Sequence, residues 1–114
     1  MTEQRDGGAE GPAAFLRSEE GGGVPVLSVR GEIDVYTSPE FRRELQNLVG
    51  LDTRTVVVDF SAVDFIDSSG LGVLVGALKR MREQEGRIVL RGMTPSTKKV
   101  FDITGLTDLF SVEP

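Results

Sequence analysis

The chain has 114 residues, room for one domain, and contains neither Cys nor His. The first absence removes disulfides and thiolate metal sites; the second removes the usual general base, the Ser-His-Asp triad and imidazole ligands. A formal charge of −5 argues against a nucleic-acid footprint, and no apolar run approaches the roughly eighteen residues of a membrane span.

Met1–Pro12 is polar and Gly-rich and lacks the apolar stretch of a signal peptide. It reads as a flexible acidic tail, residues 1–12, ahead of a single domain over 13–114, with a cytoplasmic location expected. Ala13–Arg17, around Phe15 and Leu16, reads as a short strand. Glu19–Gly23 is a turn signal, and Val24–Arg30 is the second strand of a hairpin. Gly31-Glu32-Ile33-Asp34 leads into Thr37-Ser38-Pro39-Glu40, where two helix caps compete. Thr37 with Glu40 forms a capping box, while Ser38 puts Pro39 at the first helical position. The helix that follows buries Phe41, Leu45, Leu48 and Val49 and stops at Gly50.

Arg54–Asp59 carries Thr55-Val56-Val57-Val58, the run of a strand buried on both faces. Leu71, Leu74, Val75, Leu78 and Met81 recur at helical spacing and predict a helix from about Ser69 to Glu85, ended by Gly86. Arg87–Arg91 is a strand. Thr94-Pro95 opens a helix with Val100, Phe101 and Ile103 inward and Gly105 beyond its end, and Leu109–Val112 is a last strand. A hairpin followed by α-β-α-β-α-β implies an α/β fold on a mixed sheet with parallel crossovers.

Asp67-Ser68-Ser69 lies at the central strand-to-helix junction, where Ser68 is either an N-cap or a functional group beside free backbone N–H donors. Further along that helix, Gly72, Val73, Gly76 and Arg80 point away from the Leu71/Val75/Leu78 stripe. Two outward glycines in a helix cost roughly 1 kcal/mol each relative to alanine. Either another chain's backbone approaches them closely, or they pack against loops of their own chain.

The chemistry inventory is short. Asp59, Asp64 and Asp67 cluster near the central strand, but turn and cap roles suffice for Asp59 and Asp64. A receiver-type acceptor Asp is disfavoured, because the acidic pair after the first strand and the late Lys are missing. Ser68 and Ser69 have no His to activate them, the first Lys of the chain is Lys79, and no Gly-x-x-x-x-Gly-Lys loop is present. The reading is a protein that is not an enzyme and uses no cofactor and no metal.

Phe65-Ile66-Asp67-Ser68-Ser69-Gly70-Leu71-Gly72 resembles the signature of the anti-sigma factor antagonists, in the STAS domain family. Gly31-Glu32-Ile33-Asp34, Pro95-Ser96 and Phe101–Leu106 are similar to that family's pattern at the same relative places, and the resemblance covers about Ala13–Pro114. It implies a mixed sheet opened by the N-terminal hairpin, with helices mainly on one side. It also implies partner switching. The unphosphorylated protein binds an anti-sigma factor that is also a serine kinase and so frees a sigma factor. Phosphorylation of Ser68 dissociates the complex, and a metal-dependent serine phosphatase restores the binding form. Asp34 belongs to the partner-facing surface that the resemblance implies. Together with the helix face, the expected interface comprises Asp34, Asp67, Ser69, Gly72, Val73 and Gly76. The competing readings are a STAS scaffold or transporter-complex subunit in which Ser68 is never phosphorylated, and a nucleotide-binding STAS module.

Overall fold

The computed structural model describes residues 13–50 and 53–114, so the expected tail over 1–12 lies outside the described residues. In chain order the elements are β1 (Ala13–Glu20), β2 (Val24–Ile33), α1 (Ser38–Val49), β3 (Thr55–Ile66), α2 (Ser68–Glu83), β4 (Arg87–Arg91), α3 (Pro95–Thr104), a 3₁₀ turn (Thr107–Leu109) and β5 (Ser111–Glu113). The strands form one sheet in the order β1-β2-β3-β4-β5. The β1–β2 pair is antiparallel and the other three pairings are parallel. The α/β class, the mixed sheet and the opening hairpin expected from the sequence are all present.

Leu27, Val29, Ile33, Val56, Val58, Phe60, Ile88 and Leu90 share one buried core with the apolar faces of the helices. The alternate residues Val26, Val57 and Val89 form a small separate cluster on the opposite face. The helices therefore pack on one side of the sheet. Five phenylalanines cross the main core in sequence, Phe15–Phe41–Phe60–Phe101–Phe110, with ring centroids 5.8 to 6.4 Å apart. On the face that carries Val89, Arg91 donates to both carboxylate oxygens of Glu20 at 2.9 and 2.6 Å and to Glu113 as well. That fork joins the tip of the hairpin to β4 and β5. Among the described residues no helix is long and apolar enough to cross a membrane.

Several boundaries differ from the sequence expectation, each for a physical reason. β1 runs on to Glu20, because its polar second half pairs with β2 as far as Glu20↔Val24 although its side chains are exposed. β3 continues past Asp59 to Ile66. Its pairing with β2 shifts between Ser28 and Arg30 and again between Gly31 and Glu32, each time leaving one extra residue on β3. These bulges stretch the inward spacing from two residues to three, so that Phe60, Val63 and Ile66 all reach the core. Ile103, expected inward, is 74% exposed, and α3 anchors through Phe101 with Val100 half-buried. The last strand begins at Ser111, because Thr107–Leu109 closes a 3₁₀ turn first.

Candidate functional site

β2 and β3 finish in register, Ile33 beside Ile66, and the Asp67 N–H donates to the Ile33 carbonyl at 3.0 Å. Asp67 then leaves the strand in an extended conformation and caps α2. Its Oδ1 accepts from the N–H of Ser69 at 2.8 Å and of Gly70 at 3.4 Å. One carboxylate thus satisfies two of the free donors of the first turn. Gly70 is buried, and a Cβ there would lie 2.6 Å from Ile33 Cγ2 and 2.7 Å from Ile66 Cγ1, so the helix can approach the strand ends only through glycine. Ser69 is half-buried and gives its N–H to the cap. Ser68 is the first helical residue, it is exposed, and it is not the N-cap. Of the two readings that the sequence left for Ser68, the capping one is removed, because Asp67 holds that position.

The other expected site residues fall into two groups. Asp34 follows β2 directly and lies next to the Ile33–Asp67 hydrogen bond. Its Oδ1 accepts from the N–H of Tyr36 at 2.9 Å and of Thr37 at 3.1 Å, and its own N–H donates to Thr37 Oγ1 at 2.9 Å. Thr37 Oγ1 donates in turn to the Glu32 carbonyl at 2.9 Å. The Thr37 hydroxyl is therefore occupied within the turn, and neither side-chain cap expected for α1 forms. The helix opens at Ser38 with Pro39 in its first turn, and the Ser38 N–H is held by the Asp34 carbonyl at 2.8 Å.

The second group lies along α2. Gly72 and Gly76 are exposed, and a Cβ added to either meets no atom within 4 Å. Among the described residues, packing against the chain's own loops therefore does not account for them. Val73, expected to point outward with them, is buried, as is Ala77, while Val75 is only half-buried. The helix touches both the sheet and α1, so its buried arc is wider than the single stripe that periodicity marks. Between α1 and α2 runs a groove of about 120 Å³ whose walls include Arg42, Gln46, Gly72, Gly76 and Arg80.

Among the described residues no three acidic groups converge as metal ligands. Asp59 sits at the first bulge of β3, its Oδ1 accepting from the Ser61 N–H at 2.9 Å, and Asp64 is exposed on the same strand. The exposed pair Val35-Tyr36, in the turn that Asp34 closes, lies outside the residues expected at the site. Its signal was present in the Asp-x-x-Thr spacing of Asp34 and Thr37, which favours a turn closed by the Asp side chain.

This arrangement offers an exposed serine hydroxyl at a helix mouth, an ordered acidic turn beside it and a glycine face along the same helix. The family model of the STAS domain matches residues 16–114. The chain belongs to the STAS domain family. This STAS domain is 36% identical over 87 residues to the anti-sigma-B factor antagonist of Listeria monocytogenes, with 76% of each chain covered. The crystal structure of an anti-sigma factor antagonist from Mycobacterium paratuberculosis superposes with a TM-score of 0.80 at 31% identity, covering 90% of this chain and 86% of that one. The anti-sigma factor antagonist SpoIIAA in its unphosphorylated form has the same fold, with a TM-score of 0.75 at 24% identity over 89% of both chains.

Proposed function

We propose that this STAS domain is an anti-sigma factor antagonist that works by partner switching in the cytoplasm, as a binding protein rather than an enzyme. In its unmodified form it binds an anti-sigma factor, itself a serine kinase, and so releases a sigma factor. Phosphate on Ser68 breaks that complex, and a serine phosphatase reverses the modification. The observation that carries the reading is the division of labour in Asp67-Ser68-Ser69-Gly70. Asp67 caps, Ser69 and Gly70 donate to the cap, Gly70 packs, and Ser68 alone stands exposed outside the junction. The relatives at 36% and 31% identity, both anti-sigma factor antagonists, support the same role.

The switch follows from electrostatics. A phosphate adds about −1.5 to −2 of charge at neutral pH. At a helix N-terminus the dipole favours it by about 0.3–1 kcal/mol, but Asp67 already holds two of the donors there, so the gain is at the low end. The fold therefore survives phosphorylation. At an interface the same dianion must be desolvated beside Asp67 and Asp34, and like-charge juxtaposition costs several kcal/mol, against about 8 kcal/mol for a micromolar complex.

The test is incubation with ATP and the anti-sigma factor kinase, followed by peptide mass spectrometry, with phosphate expected on Ser68. Ser68→Ala is expected to stay bound to the kinase. Ser68→Asp, with about half the charge, is expected to fold normally and bind with an affinity between the free and phosphorylated forms. Phosphate on Ser69, or a Ser68→Asp protein that binds like the unmodified one, overturns the proposal.

A further inference from the structure

The turn between β2 and α1 is closed by a dense set of hydrogen bonds. Tyr36 N–H and Thr37 N–H both donate to Asp34 Oδ1, Asp34 N–H donates to Thr37 Oγ1, Thr37 Oγ1 donates to the Glu32 carbonyl, and Ser38 N–H donates to the Asp34 carbonyl. Thr37 is buried, so the turn is anchored inward at that residue. Its two remaining side chains go the other way: Val35 is 60% exposed and Tyr36 is 88% exposed. Tyr36 is the most exposed of the large apolar side chains among the described residues, and it is held on an ordered backbone. The turn is also continuous with the Ser68 site, since the residue before it, Ile33, accepts the Asp67 N–H through its carbonyl.

We infer that Tyr36 is an anchor residue for the anti-sigma factor that docks over Ser68, and that Asp34 is a positioning residue whose carboxylate holds the turn instead of touching the partner. The inference rests on the functional reading above and assigns the roles within that surface. A tyrosine supplies a large contact area at the cost of ordering few torsions, and tyrosines are enriched among the few residues that dominate binding energy. Presenting it on a pre-formed turn removes most of the ordering cost of a loop. All the contacts that the Asp34 side chain receives go to Oδ1, an atom type that asparagine also possesses. The occupant is the protein surface that meets unphosphorylated Ser68, and it presents an apolar pocket to Tyr36.

The experiment compares Asp34→Asn, Asp34→Ala and Tyr36→Ala in the full chain. Two readouts are used: affinity for the anti-sigma factor that the Ser68→Ala protein retains, and amide exchange at Tyr36 and Thr37 in the free proteins. Tyr36→Ala is expected to weaken binding about thirtyfold with its melting temperature unchanged. Asp34→Asn is expected to bind within about threefold of the parent and to keep both amides protected. Asp34→Ala is expected to lose that protection and to bind about tenfold more weakly, and adding Tyr36→Ala to it is expected to cost less than Tyr36→Ala costs alone. An Asp34→Asn protein as impaired as Asp34→Ala means that the charge itself meets the partner, which overturns the positioning role. Undiminished binding by Tyr36→Ala overturns the anchor. If the unmodified chain binds no anti-sigma factor, the functional reading fails and the anchor with it, while the exchange measurement still decides whether Asp34 sets the turn.

Discussion

Two glycines six residues apart on α2 are expected to respond to the same substitution with opposite signs. At Gly76 a Cβ meets nothing within 4 Å. Gly76→Ala therefore gains the helix propensity of alanine over glycine, about 1 kcal/mol, with nothing to offset it. At Gly70 the new Cβ lies 2.6 Å from Ile33 Cγ2, some 0.8 Å inside the 3.4 Å at which ordinary contact begins, and 2.7 Å from Ile66 Cγ1. Neither isoleucine can withdraw easily, since both are β-branched and almost fully buried. Overpacking of this kind costs about 1–3 kcal/mol, so after the propensity gain Gly70→Ala is left up to about 2 kcal/mol less stable than the parent. For a domain near 100 residues each kcal/mol moves the midpoint by about 5 °C. Thermal and urea unfolding followed by circular dichroism are expected to place Gly76→Ala about 5 °C above the parent and Gly70→Ala up to about 10 °C below it. Equal shifts in one direction refute the argument that the first glycine is required by packing and the second is not.

Other expectations follow from the same contacts. Gly76→Gln is expected to match or exceed the parent in stability yet bind the anti-sigma factor at least tenfold more weakly by titration calorimetry; unchanged binding means that the glycine face is not a contact surface. Asp67→Ala removes the α2 cap and is expected to lower stability by about 0.5–2 kcal/mol in urea unfolding, with Asp67→Asn largely restoring it; a neutral Asp67→Ala sinks the capping assignment. On α3, the Thr107 hydroxyl first and Lys98 second hold the Asp102 carboxyl below its ordinary range, so its stabilising contribution is present at neutral pH and is lost as pH falls through the lowered value. In a carboxyl NMR titration, Thr107→Val is expected to raise the Asp102 midpoint towards the ordinary value; an unmoved midpoint excludes the hydroxyl as the cause.

The sequence alone determined the order of elements and the class of fold, and it singled out the Asp67–Ser69 junction as the candidate site. These are local properties. Gly105 ends α3 in the left-handed conformation that glycine favours, and Thr94 opens the same helix by accepting the Thr97 N–H with its side chain. The run from Phe65 to Gly72 carries its resemblance in residue identity. What needed the tertiary structure was which neighbour each side chain meets. Val73 and Ala77 are buried because α2 has two partners, the sheet and α1, and periodicity assumes one apolar stripe. Ile103 is apolar and at helical spacing, yet among the described residues no element lies over it. β3 outran its expected end because two bulges, set by pairing with β2, replace alternation with a three-residue spacing that no single-strand pattern signals. Thr37 and Ser68 both looked like caps. At α2 the terminus went to Asp67, whose carboxylate takes the Ser69 and Gly70 N–H groups, while at α1 the Thr37 hydroxyl is drawn away from the helix to the Glu32 carbonyl by its place in the Asp34 turn.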